Sequence, residues 1–273
     1  MRRCFLLVLM LVPALAHAQA PTGDVPAGVG PDGVWRWTAT GEEVALFGVN
    51  YTTPFAFAYR AHHAVGVDRE VAIDRDVLHM ARLGFDAFRV HVWDREVSDA
   101  EGNLLDNEHL RLFDYLVARL EARGIRLLLT PIAWWGTGWP EPDGPTPGFA
   151  SSYSKAEMAT DPQARAAQRN YVRQFLDHVN PYTGLAYKDD PAILAVELFN
   201  EPAHREPPEE TTKYVDELVE VVRATGFRKP IFYNVSQNWS PAHAAAVAAA
   251  RVQGVSFQWY PTGLVHRSVL HGN

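Results

Sequence analysis

The stretch Ile193-Leu194-Ala195-Val196-Glu197-Leu198-Phe199-Asn200-Glu201-Pro202 is apolar as far as Phe199 except for Glu197, then turns polar and ends at a proline. A run this short and this apolar fits a strand buried on both faces, as strands of parallel sheets are. Asn200 and Glu201 then stand at its carboxyl end. Similar runs lie on either side: Leu46 to Tyr51, Ala87 to Val92 after Gly84, Ile125 to Pro131 after Gly124, Ile231 to Val235, and Val255 to Tyr260 after Gly254. Between them apolar residues recur at helical spacing, as in Leu110, Phe113, Leu116, Val117 and Leu120 before the stop at Gly124. Further helices are expected near Arg69 to Leu83, Gln163 to His178, Glu209 to Thr225 and Pro241 to Val252.

Strands alternating with amphipathic helices indicate an α/β fold whose parallel strands are joined by crossover helices. Six such units already use the available length, and an eight-stranded barrel needs two more strands. Two architectures fit: a six-unit open α/β sheet, or a (β/α)8 TIM barrel with about six of its eight units in this chain. The strand-end chemistry described below favours the barrel, shortened at its C-terminal side. Ahead of the first strand, Val34-Trp35-Arg36-Trp37 and Val44-Ala45-Leu46-Phe47 flank Thr40-Gly41-Glu42, the pattern of a short β-hairpin.

The N-terminus has the three parts of a secretory signal: Arg2 and Arg3, an apolar run from Phe5 to Ala16, and the small-x-small set Ala16-His17-Ala18 before the cut. Its apolar core, about twelve residues, falls short of the roughly twenty that span a bilayer. The expected organisation is a signal peptide over 1–18, a Pro/Gly-rich flexible leader over 19–33, and one domain over 34–273. The protein is then secreted or periplasmic, with no stable membrane insertion after cleavage. Cys4, the only cysteine, leaves with the signal, so the mature chain has neither a disulfide nor a thiolate nucleophile. The formal charge of -7 becomes -9 when Arg2 and Arg3 are lost, and without a Lys/Arg cluster this disfavours nucleic acid as a partner.

A carboxylate at the end of a buried strand is partly desolvated, which disfavours its charged form and suits a general acid. Glu201 is therefore the candidate catalytic proton donor. Asn200 beside it can donate an amide N–H to a sugar hydroxyl, and Pro202 stiffens the turn that aims both. Arg89 and Glu197 belong to strands whose inner faces are filled by side chains, and a buried charge needs a partner, so the two are expected to pair unless Arg89 instead orients a second carboxylate. Asp94, in His91-Val92-Trp93-Asp94, is the internal alternative for that second carboxylate, as the base of an inverting reaction. The blander account of Asp94 is a loop residue pairing with Arg95 or capping a helix.

The segment around Asn200-Glu201-Pro202 resembles the retaining glycoside hydrolases of clan A, most closely the cellulase- and mannanase-containing glycoside hydrolase family 5, over about 34–273. The resemblance implies a (β/α)8 barrel in which the fourth strand ends in Asn-Glu-Pro, mapping the acid/base to Glu201 and its neighbour to Asn200. It further implies a second-strand arginine near the catalytic carboxylates, matched by Arg89 in Gly84-Phe85-Asp86-Ala87-Phe88-Arg89-Val90. The family's sixth strand carries His-x-Tyr; this chain reads Gln258-Trp259-Tyr260, so Tyr260 matches while Gln258 replaces the histidine. The nucleophile, a glutamate ending the seventh strand in the clan, is expected beyond Asn273.

Indole faces pack against the C–H faces of sugar rings. Trp134, Trp135 and Trp139 follow the third strand, and Trp239 and Trp259 the fifth and sixth; Trp135 and Trp259 are the preferred substrate platforms, with core packing as the competing role. His91 and Asn50, near the ends of their strands, are candidate substrate contacts. None of the eleven histidines falls in an HExxH or Cys/His cluster, and His62-His63 reads as a solvated loop pair, so no metal is expected. Gly48-Val49-Asn50-Tyr51-Thr52-Thr53-Pro54 lacks the glycines of a dinucleotide site, and no cofactor is expected. Asn50, Asn234 and Asn238 begin N-x-S/T triplets, of which Asn50 and Asn238 better suit polar roles at strand ends.

The expected activity is hydrolysis of a β-linked oligo- or polysaccharide by a retaining double displacement, with little turnover from these residues alone. The alternative is a carbohydrate-binding, catalytically inactive barrel that keeps the tryptophans and dispenses with the carboxylate pair.

Overall fold

The structure, a computed structural model, describes residues 26–135, 146–235 and 240–258. Two short strands come first, β1 (Ala27–Val29) and β2 (Trp35–Trp37), paired antiparallel. Six parallel strands follow: β3 (Gly48–Asn50), β4 (Ala87–His91), β5 (Arg126–Thr130), β6 (Ile193–Glu197), β7 (Ile231–Val235) and β8 (Gly254–Phe257). They form one sheet in sequential order, β3-β4-β5-β6-β7-β8. The helices are α1 (Tyr59–Ala64), α2 (Arg69–Arg82), α3 (Asp94–Val97), α4 (Glu108–Glu121), α5 (Glu157–Thr160), α6 (Pro162–Asp177), α7 (Pro208–Ala224) and α8 (Pro241–Ala248).

Every crossover between neighbouring parallel strands carries a helix, so all six carboxyl ends open on the same rim. This is six units of a (β/α)8 barrel, the arrangement that the strand and helix spacing anticipates. All five residues of β6 are buried, as a strand near the middle of the sheet requires. β3 and β8 are the edges of the described sheet, and Val255 and Phe257 on β8 stand exposed.

Helix starts follow local chemistry. Asp68, Asn107, Asp161 and Ser240 each accept an orphan backbone N–H at the head of α2, α4, α6 and α8, and Pro162, Pro208 and Pro241 stand in first turns where no N–H is needed. The face of α4 bearing Leu110, Phe113, Leu116, Val117 and Leu120 is buried, joining Ile73 and Val77 of α2 in the core. Trp35 of β2 meets Phe232 edge-on, ring centroids 5.2 Å apart. It lines a cavity of about 300 Å³ that runs from Gly48, Ala87, Arg126 and Leu194 up to Asn50 and Arg89.

Two expectations are corrected. Part of the leader assigned to 19–33 is structured: Ala27–Val29 is a strand, paired residue for residue with Trp35–Trp37. The hairpin expected after Trp37 survives as a turn, with Val44 N–H donating to Trp35 O at 2.8 Å and an isolated bridge joining Arg36 to Glu43. His62 and His63 lie on α1 and not in a loop. Residues 1–18, read from sequence as a signal peptide, lie outside the described residues, as do Trp139, Trp239, Trp259 and Tyr260.

Candidate active site

Strand register explains which side chains meet at the carboxyl rim. In a parallel pair, residues in register project to the same face, and Asn50 of β3 pairs with Arg89 of β4. Arg89 reaches across the sheet to Glu197, the last residue of β6, donating Nε–H to Oε1 at 3.1 Å and closing a second contact through Nη2. Glu197 is completely buried and takes further hydrogen bonds from Thr130 at 3.1 Å, Asn234 at 3.4 Å and Ser256. The expected ion pair is therefore present, and donors from four strands satisfy the carboxylate, as a buried charge requires.

The rest of the Arg89 guanidinium fixes its neighbours. Nη1 donates to Asn50 Oδ1 at 3.2 Å and to His91 Nε2, and Nη2 donates to Asn200 Oδ1 at 3.1 Å. Burial, and then the positive charges of Arg89 and Lys155, push the pKa of His91 well below its usual value. The ring is neutral and accepts at Nε2. Gln258, which stands where the resemblance implies a histidine, donates Nε2–H to Asn200 Oδ1 at 3.2 Å. Asn200 is thereby held from two sides and oriented at the strand end.

Glu201 follows in a left-handed backbone conformation, φ 47°, which is costly for a residue with a Cβ. Asn234 of β7 supports it, its Oδ1 accepting the Glu201 backbone N–H at 2.8 Å. Glu201 is half-buried, unlike the sealed Glu197. Trp134 is the other non-glycine residue at positive φ, 42°, and it too is anchored: its N–H donates to Asp94 Oδ1 at 3.2 Å and its Nε1–H to Tyr153 O at 3.0 Å. Each of the two left-handed residues stands two positions past the isolated parallel bridge that joins Ile132 to Phe199.

Asn50, Arg89, His91 and Asn200 thus form one connected set beside Glu201. Trp135 is almost buried and packs on His91, ring centroids 5.5 Å apart, so it is as much core wall as platform. Asp94 cannot serve as an external base: it is fully buried, and its Oδ2 has no hydrogen-bond partner. Desolvation raises its pKa to about 7, against the lowering effect of the Trp134 N–H. Sequence reasoning undervalued Asn234, which is completely buried and therefore not a glycan acceptor in the folded chain. Its place inside the apolar strand Ile231 to Val235 was the available signal, because a buried amide must find partners.

A family model described as GH family 5 beta-mannosidase-like matches residues 148–229. Mannan endo-1,4-beta-mannosidase 2 of Arabidopsis thaliana is 32% identical over 107 residues, 36% of this chain and 23% of its own length. A second Arabidopsis thaliana protein of that mannan endo-1,4-beta-mannosidase series is 24% identical over 211 residues, 73% of this chain and 49% of its own. The similarity of residues 148–229 is thus to glycoside hydrolase family 5. A family 5 mannosidase from Rhizomucor miehei, solved in complex with mannosyl-fructose, superposes with TM-score 0.65 at 15% identity, covering 88% of this chain and 62% of that one, which shows a shared barrel fold. The chain spans about half, or less, of the length of these plant relatives.

Proposed function

We propose that the protein is a retaining hydrolase of β-linked mannans or mannosides, with Glu201 as its acid/base. The observation that carries this reading is the seat of Glu201: a half-buried carboxylate at a strand end, its backbone anchored by Asn234, next to an asparagine locked to the Arg89–Glu197 pair. The plant relatives named for mannan and the fungal neighbour named for mannosyl-fructose support the sugar.

In the first half-reaction Glu201 gives its proton to the glycosidic oxygen as the C1–O bond breaks and a second carboxylate bonds to C1. In the second, Glu201 takes a proton from water as the water oxygen attacks C1 and the carboxylate leaves. That second carboxylate must lie about 5–5.5 Å from the first. Glu197 is engaged by four other residues and Asp94 is sealed in the core. In this reading the nucleophile comes from a strand closing the barrel between β8 and β3. Asn50, His91 and Asn200 hold the sugar hydroxyls, Trp135 and Trp259 flank the rings, and Tyr260 and Arg89 orient the nucleophile. The three-part signal at 1–18 supports export, so the substrate is met outside the cytoplasm.

The test is turnover of an aryl β-mannoside by the full-length protein and its Glu201→Ala variant, in which hydrolysis should fall by about a hundredfold or more. Unchanged hydrolysis would remove Glu201 from the reaction.

A further inference from the structure

Lys155 lies between the short turn Phe149–Ser151 and α5, in the loop that follows β5. Its side chain is half-buried, and its Nζ sits 5.5 Å from the centre of the Trp134 ring. That ring is a fixed shelf, because Trp134 is tied by its backbone to Asp94 and by its indole N–H to Tyr153. Among the described residues no hydrogen bond or ion pair ties the ammonium to another side chain, and it stands over the Trp134 ring. A cation over an indole is held by the ring's negative face, which leaves the N–H donors of the half-buried ammonium open to a ligand. Burial lowers the Lys155 pKa, against the raising effect of the charges of Glu201 and Asp94. The three N–H donors therefore stand on the rim within electrostatic reach of Glu201.

The ammonium stands in the loop that follows β5, and its charge acts on both Glu201 and His91. Asn50, Arg89, His91 and Asn200 bond to one another within the strand layer, and Lys155 bonds to none of them. A proton donor faces the oxygen between two sugars, so donors deep in the strand layer serve the sugar that is attacked. A donor reaching it from the loop above serves the sugar that leaves. We propose that Lys155 is a specificity-determining residue, donating hydrogen bonds to the hydroxyls of the leaving-group sugar against the Trp134 shelf. This rests on the proposed hydrolase reading.

Full-length Lys155→Met and Lys155→Arg proteins, checked for unchanged melting temperature, are compared on a β-linked manno-oligosaccharide and on an aryl β-mannoside. A charge-assisted hydrogen bond corresponds to about ten- to a hundredfold in affinity. Lys155→Met should lose that factor in kcat/KM on the oligosaccharide, the loss being at least tenfold greater than on the aryl mannoside, which offers no sugar hydroxyls on the leaving side. Lys155→Arg should recover most of it. Equal losses on both substrates, or no loss on either, overturn the proposal. Calorimetric titration of Glu201→Gln protein with the oligosaccharide separates this from the hydrolase reading. If the wild type turns over nothing, that reading fails, while at least fivefold weaker binding after adding Lys155→Met still supports the lysine. Unchanged binding, or no binding at all, overturns it.

Discussion

Asn234 and Asp94 have the same task at neighbouring points on the rim, each accepting the backbone N–H of a residue held at positive φ. The difference is charge. Asp94 is fully buried with one oxygen unpartnered, and its pKa is raised to about 7, well above the ordinary carboxylate value. The folded chain then binds a proton that the unfolded chain releases near pH 4, so this residue's contribution to stability falls as pH rises from about 4 to about 7. Asp94→Asn keeps an acceptor for Trp134 and removes the titration. Relative to wild type it should gain a few kcal/mol between pH 4 and 8 in denaturant melts. Parallel pH curves for the two proteins would contradict that account.

At the scale of elements, the turn between β6 and α7 decides where Glu201 stands, and a buried histidine–carboxylate cluster holds it. His204 Nδ1 meets Glu206 Oε1 at 2.5 Å and its Nε2 meets the Tyr233 hydroxyl at 2.9 Å, while Thr211 donates to Glu206 at 2.8 Å. Burial alone would raise the Glu206 pKa, but the hydrogen bonds from His204 and Thr211 and the charge of His204 hold it down to about 2. Its stabilisation is present above about pH 5 and is lost as pH falls towards 2. Glu206→Gln should cost on the order of 2–3 kcal/mol at pH 7, a difference that shrinks in acid; urea melts at pH 7 and pH 3 check both limbs. The strands and helices around this turn were legible in sequence because their periods are set locally by which face is buried. The strand Ala27–Val29 was not, since a Pro/Gly-rich segment becomes a strand only by pairing with Trp35–Trp37. Glu201 and Arg89 were legible through their motif. The contacts of Asn234, Lys155 and Glu206 were not, because they arise from register and loop packing between distant segments.

For the whole molecule, six parallel strands carry Glu201, the proposed acid/base, on a common rim, and Trp35 of the N-terminal hairpin packs on Phe232 of β7. The cavity over Trp35 reaches up between the strands to Asn50 and Arg89, while the loops at the carboxyl ends are where such barrels carry their chemistry. Among the described residues no helix is long and apolar enough to cross a membrane. The central claim is that Glu201 protonates the leaving group and then activates water on a sugar already bound through C1. The most direct measurement uses the full-length Glu201→Ala protein with an activated aryl β-mannoside and added azide, an anion that attacks C1 without needing a base. The account predicts slow hydrolysis alone, turnover restored by azide, and a β-mannosyl azide of retained configuration by proton NMR. Wild-type hydrolysis without azide, or an azide of inverted configuration, would contradict it.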